Sequence, residues 1–161
     1  MEATDWQVGQ IQKLKELTCD LPEEDVLRYV DAILCNNQAL VDKALQLLDH
    51  PENTVRLIRS TPSNRQFYCV RGSRSQSYIC FDHYCSCRSF FEQARKTEER
   101  LLCKHLLAIV LAHGLHKVEV MEVIDPPSHS NAVDRWAQLY VEAMAEMETQ
   151  GHPYHHNGTP P

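Results

Sequence analysis

Cys85-Ser86-Cys87 and Cys103-Lys104-His105 set soft metal ligands in two pairs, with one residue between the members of each pair. Three thiols and one imidazole match a tetrahedral Zn²⁺, with Zn–S of about 2.3 Å and Zn–N of about 2.0–2.1 Å. In an extended strand, positions i and i+2 share a face, so Cys85 and Cys87 can converge on one ion. On a helix the same spacing diverges. Cys103 is therefore expected just before a helix, with His105 reaching back from its first turn. A helix N-terminus there offers free N–H groups and positive partial charge to an anionic zinc–thiolate centre. Buried cysteines often play no part in chemistry, but that leaves the repeated spacing unexplained. Cys69, Cys80 and His83 are substitute ligands to weigh; Cys69 and Cys80 are spaced to pack inside a sheet.

Elements on both sides must position these ligands. The segment from Arg88 to Leu102 has 15 residues, enough for a short helix and a return. Ser89 is its candidate cap. Phe90, Phe91 and Ala94 are expected to cover the metal, and Arg95, Lys96 and Arg100 to face water. From His105 onward, Leu106 to Ala112 are apolar all round, as in a buried helix; Gly114 is the expected stop. Before Cys85, three β-rich runs contain Val55, Leu57 and Ile58, then Phe67 to Val70, then Tyr78 to Phe81. Short turns join them, which predicts an antiparallel three-stranded meander whose last strand delivers the chain to Cys85.

Toward the N-terminus, Trp6, Ile11, Leu14 and Leu17 predict an amphipathic helix. Asp20 and Glu23 resemble a capping box, with Pro22 tolerated in the first turn of a helix from Leu21 to Leu34. Asn36 or Asn37 opens another helix to Asp49. His50-Pro51-Glu52-Asn53 breaks the helical run. Toward the C-terminus, Lys117 to Ile124 is a further strand candidate. Asn131 is a candidate cap for a helix carrying Val133, Trp136, Tyr140, Met144 and Met147, whose stripe fits either its own domain or a partner. Residues 1–50 are thus expected to be helical and residues 51–115 to hold the meander, metal site and core helix. Residues 116–150 form an extension with a helix, and residues 151–161 a disordered tail. The fold class is α+β.

The 161 residues carry 43% apolar residues, seven cysteines and a net charge of −6. One core is expected. The odd cysteine count argues against a fully paired disulfide framework, and the first residues lack a signal-peptide pattern, so a reducing intracellular setting is expected. The charge is uneven. Residues 1–50 hold 4 Lys+Arg against 10 Asp+Glu, residues 51–105 hold 10 against 5, and residues 106–161 hold 2 against 7. Nucleic-acid contact, if any, falls on the basic middle segment, at Arg71, Arg74, Arg88, Arg95, Lys96, Arg100 and Lys104.

Cys85-x-Cys87, a variable spacer, and Cys103-x-His105 with Ala108 resemble the SWIM-type zinc finger pattern. The β-rich approach, His83-Tyr84-Cys85-Ser86-Cys87 and Leu102-Cys103-Lys104-His105-Leu106-Leu107-Ala108 are similar to the small SWIM proteins of the Shu complex, over roughly residues 20–115. That resemblance implies one structural zinc and a nuclear, non-catalytic mediator of homologous recombination and double-strand break repair. It also implies an obligate RecA-like recombinase paralogue as partner and support of recombinase filaments on single-stranded DNA; separately, no stretch of the sequence is long and apolar enough to span a membrane, so no membrane partner is expected. Two other classes fit less well. A thiol enzyme would use Cys85 or Cys103 as nucleophile. A sequence-reading finger of transposase or transcription-factor type would want an exposed basic helix, and the acidic flanks oppose it.

Overall fold

The computed structural model describes residues 14–34, 37–50, 55–72, 76–96, 102–126 and 134–149. Residues 14–19 are helical (α1). There follow α2 (Glu23–Leu34), α3 (Gln38–Leu48), β1 (Val55–Thr61), β2 (Gln66–Arg71), β3 (Ser77–Phe81), β4 (Tyr84–Cys85), α4 (Arg88–Lys96), α5 (Lys104–Gly114), β5 (Val118–Ile124) and α6 (Arg135–Thr149). The fold is α+β. The sheet has five strands in the order β4-β3-β2-β1-β5: the expected meander of three, the two-residue β4 that was not expected, and β5 on the Lys117–Ile124 strand candidate. Strands β1 to β4 are antiparallel neighbours, and β5 lies parallel to β1, with Leu57 opposite Val120. A strand that re-enters a sheet after a helix crossover can lie parallel, whereas a tight hairpin cannot.

Strand alternation divides the side chains between two layers. Leu57, Tyr68, Val70 and Cys80 join the core formed with α1, α2, α3 and α5. Ile58, Phe67 and Ile79 face α6, where they meet Trp136, Leu139, Tyr140 and Ala143. Phe67 makes edge contacts with Trp136 and Tyr140, at 5.5 and 5.4 Å between ring centroids. Arg65 fixes the start of α6: its guanidinium pairs with Asp125 at 2.9 Å and Asp134 at 2.7 Å, and stacks over Trp136. Asp134 caps α6 through Ala137 N–H. The expected cap Asn131 and Val133 lie outside the described residues, as do Trp6, Ile11, Cys35, the Pro51–Asn53 break and the 151–161 tail.

α5 is central. His105 to Ala112 are all buried, and each fully buried Leu, Ile or Val there contributes roughly 1.5–3 kcal/mol. Its C-terminus differs from the expectation. Gly114 is the last helical residue, and the left-handed position is His116, at φ 52°. Lys117 N–H bonds to Ala112 C=O at 2.8 Å and His116 N–H to His113 C=O at 3.2 Å, which is the Schellman pattern. Gly114 serves close packing instead. A Cβ there would meet Val26 Cγ1 at 2.8 Å and Thr18 Cβ at 3.0 Å.

Several helix details also shift. α2 begins at Glu23, where Pro22 C=O accepts from Asp25 and Val26 N–H. Asn37 opens α3 with its backbone carbonyl. Leu17, expected on a core stripe, is 39% exposed because α1 turns Leu14, Lys15 and Thr18 inward instead, and Ile33 is 37% exposed because α2 buries Val26 and Val30.

Lys15 is a buried cation, with its side chain 9% exposed. Its ammonium donates to Tyr68 Oη at 3.2 Å and pairs with Asp82 at 2.5 Å. Tyr68 Oη lies 3.0 Å from His113 Nε2. Since Lys15 can only donate, Tyr68 spends its proton on His113, which accepts as a neutral imidazole. Burial, with Lys15 nearby, pushes the His113 pKa down to about 4 from 6.5.

Two outcomes follow for stability. Gly114→Ala should cost about 1–3 kcal/mol in denaturant unfolding; unchanged stability would contradict the packing at α2. The lowered His113 pKa means that the unfolded chain binds the extra proton first as pH falls. The contribution of His113 is full above about pH 6.5 and is lost toward pH 4. With zinc content checked at each pH, His113→Gln should lose less stability than wild type between neutral and mildly acid pH. Parallel losses in the two proteins would contradict this.

Candidate metal centre

The four candidate ligands arrive from a hairpin and two helix starts. β3 and β4 pair with Phe81 opposite Tyr84 and Cys80 opposite Cys85, leaving Asp82-His83 as a two-residue turn. Ser86 N–H bonds to Ile79 C=O and Ile79 N–H to Ser86 Oγ, each at 3.0 Å. That reciprocal pair locks the register that presents Cys85. Cys85 therefore sits on a fourth, returning strand, not at the end of the third. Cys87 has already left the strand and opens α4. Phe90 N–H points at Cys87 Sγ, at 3.4 Å, and Phe91 N–H at its carbonyl. Cys87 thus takes the capping role expected of Ser89, whose hydroxyl accepts from Gln93 within the helix. Cys103 is extended, at φ −103° and ψ 168°, and caps α5; Leu107 N–H bonds to its carbonyl at 3.0 Å. His105 is the second residue of α5, as its spacing requires.

The four donor atoms all lie within 4.8 Å of one another. Cys85 Sγ and His105 Nδ1 are 3.7 Å apart. A tetrahedral zinc with ordinary bond lengths sets its ligand atoms about 3.5–3.8 Å apart. Exposure is 0% at Cys85, 4% at Cys87, 1% at Cys103 and 2% at His105, so water does not solvate the cluster. Tyr78 stacks on the His105 ring at 4.1 Å between centroids. His105 Nε2 is buried without a hydrogen-bond partner among the described residues.

Such crowding sets the thiols against each other. Hydrogen bonds from Cys103 and then Cys85 hold the Cys87 thiol far below its usual range. Burial pushes Cys85 up, and hydrogen bonds with Cys85 and Cys87 push Cys103 up. The cluster alone thus supports one thiolate, and a bound cation is what lets three coexist. Sulfur and imidazole donors favour zinc over hard cations such as Mg²⁺ or Ca²⁺. The residues fit zinc, and a tetrahedral ion held by all four would have no position left for water. The positive ends of α4 and α5 both meet the anionic cluster.

Other candidates fall elsewhere. His83 is exposed at the hairpin turn, outside the cluster, and Cys69 is half-buried on the α6 face. Cys80 is fully buried, with its Sγ 3.4 Å from Cys85 Sγ. Sequence reasoning missed this contact; the two-residue turn Asp82-His83 is the signal that sets Cys80 opposite Cys85. Phe90 is buried and Phe91 half-buried, both against Tyr84, whereas Ala94, expected to cover the metal, is exposed. Among the basic residues, Arg71, Arg88 and Arg95 are exposed and Lys104 is half-buried. Arg88 pairs with Glu92 at 2.6 Å. Arg74, Arg100 and the Lys96 side chain lie outside the described residues.

Structural zinc contributes apparent binding energies of about 10–16 kcal/mol, against a net domain stability of about 5–15 kcal/mol. Cys85→Ser or His105→Ala should therefore abolish zinc retention and cooperative unfolding of the segment 77–113, read by metal analysis and hydrogen exchange. A zinc-free variant with native protection there would contradict the structural role.

No family model matches the chain, and no solved structure matches it. Curated relatives do. The chain is 36% identical over 104 residues to zinc finger SWIM domain-containing protein 7 of Mus musculus, covering 63% of this chain and 68% of that protein. Against the Homo sapiens protein of that name, identity is 39% over 85 residues, covering 52% and 59%. Against that of Danio rerio it is 36% over 84 residues, covering 51% and 60%. With its ligand pattern gathered into one buried cluster, the chain belongs to the zinc finger SWIM domain-containing protein 7 family.

Proposed function

We propose that the protein is a non-catalytic, zinc-stabilised scaffold of homologous recombination and double-strand break repair. It holds one structural zinc ion through Cys85, Cys87, Cys103 and His105. It acts in the nucleus, pairs with a RecA-like recombinase paralogue and supports recombinase filaments on single-stranded DNA. The observation that carries the scaffold reading is the closed donor set: four candidate protein ligands, all buried, with their donor atoms within 4.8 Å of one another. A catalytic zinc keeps an open coordination position. A thiol nucleophile needs exposure and an activating partner, which the burial of Cys85 and Cys103 opposes. The recombination role and the partner are drawn from the resemblance to the small SWIM proteins of the Shu complex.

DNA contact belongs to the assembled complex in this reading. The net charge of −6 opposes strong binding by the chain alone. Exposed Arg71, Arg88 and Arg95 are the phosphate-contact candidates among the described residues. The decisive experiment is purification of the tagged chain from cells with identification of what elutes with it. A RecA-like ATPase paralogue in stoichiometric amount is the expected result. Recovery of the chain without one, or selective retention of one duplex DNA sequence, would contradict the proposal. Single-stranded DNA binding by the purified complex should weaken steeply with salt, and Arg88→Glu with Arg95→Glu should weaken it at low salt and flatten that slope. A slope unchanged by the substitutions would exclude these two arginines as phosphate contacts.

A further inference from the structure

β3 stands directly behind the metal cluster. On its helix-facing side it presents two residues, Tyr78 and Cys80. Tyr78 stacks on His105, and Cys80 faces Cys85 across the hairpin. Cys80 is fully buried, yet its sulfur is not among the four mutually close donors. Its sulfur lies 3.4 Å from Cys85 Sγ, within reach of an S–H···S hydrogen bond, and farther, at 4.0 Å, from the Tyr78 carbonyl. The Ser86–Ile79 exchange of hydrogen bonds fixes the hairpin one residue away, so this contact is set by backbone register.

We infer that Cys80 is a positioning residue of the metal centre, whose S–H donates a hydrogen bond to the Cys85 thiolate and holds that ligand on the ion. The inference rests on zinc being bound by the four donors, as proposed above. Three thiolates on one Zn²⁺ leave a net negative charge in a buried site. A donor at one sulfur spreads that charge and holds the ligand in place. Partners of this kind also fix the orientation of a ligand, and their loss typically costs ten- to a hundredfold in metal affinity. Cys80 is thus a fourth thiol of the centre, outside the coordination shell.

The test compares Cys80→Val, which fills the space without a donor, with Cys80→Ser, which keeps one. Zinc content of the wild-type full chain is measured first and tests the zinc reading by itself. Cys80→Val should then bind zinc about tenfold more weakly in chelator competition. Its cobalt-substituted form should show the thiolate-to-metal charge-transfer band at lower energy. Cys80→Ser should restore affinity and band position toward wild type. Wild-type affinity and spectrum in Cys80→Val would overturn the inference. So would equal losses in both variants, which would reduce Cys80 to packing. Should Cys80→Val fail to fold, the infrared S–H stretch of the zinc-loaded wild type decides. A hydrogen-bonded thiol band that is absent from Cys80→Ser supports the inference, and no such band overturns it.

Discussion

Three thiols and an imidazole crowded into a buried site form the constraint on which the rest of this fold depends. Left alone, the sulfurs compete for protons and only Cys87 is driven toward the thiolate. A divalent cation turns that conflict into cohesion. Its location matters as much as its chemistry. The cluster is where the β3–β4 hairpin ends and where α4 and α5 begin, so an ion held there would tie the sheet to the buried helix α5. Both helices turn their free N–H ends toward the site, which lowers the cost of its negative charge.

The opposite end of α5 is fixed by other means. There α1 and α2 close over Gly114, and a Schellman turn with His116 in the left-handed conformation redirects the chain into β5. The Lys15–Tyr68–His113 chain joins α1, β2 and α5, and the ion pair with Asp82 carries that link back to the hairpin holding Cys85. α5 is thus held by metal ligands at one end and by polar contacts at the other. α6 closes the second face of the sheet through aromatic contacts and the Arg65 bridge to Asp125 and Asp134.

What could be read from the sequence was what depends on residue type alone. Soft ligands in repeated close pairs announce a metal site, and an unbroken apolar run after His105 announces a buried helix. What escaped depends on tertiary partners. β4 is two residues long and carries no periodicity of its own. The pairing of β5 with β1 joins residues more than sixty positions apart. Cys87 reads as a strand residue until the chain turns into α4. Gly114 looks like a helix stop, and only the closeness of Val26 and Thr18 shows that it is a contact. Leu17 and Ala94 fit apolar stripes by spacing, but the helices are rotated to present other residues. The outer contact from Cys80 was hidden because a two-residue turn, not a motif, brings it to Cys85.

The central claim is that these four side chains, and no water, surround one zinc ion. X-ray absorption at the zinc edge on the purified full chain tests it most directly. The account predicts three sulfur scatterers at about 2.3 Å and one imidazole nitrogen at about 2.0–2.1 Å. A shell with four sulfurs, or with an oxygen from water in place of a protein donor, would contradict it.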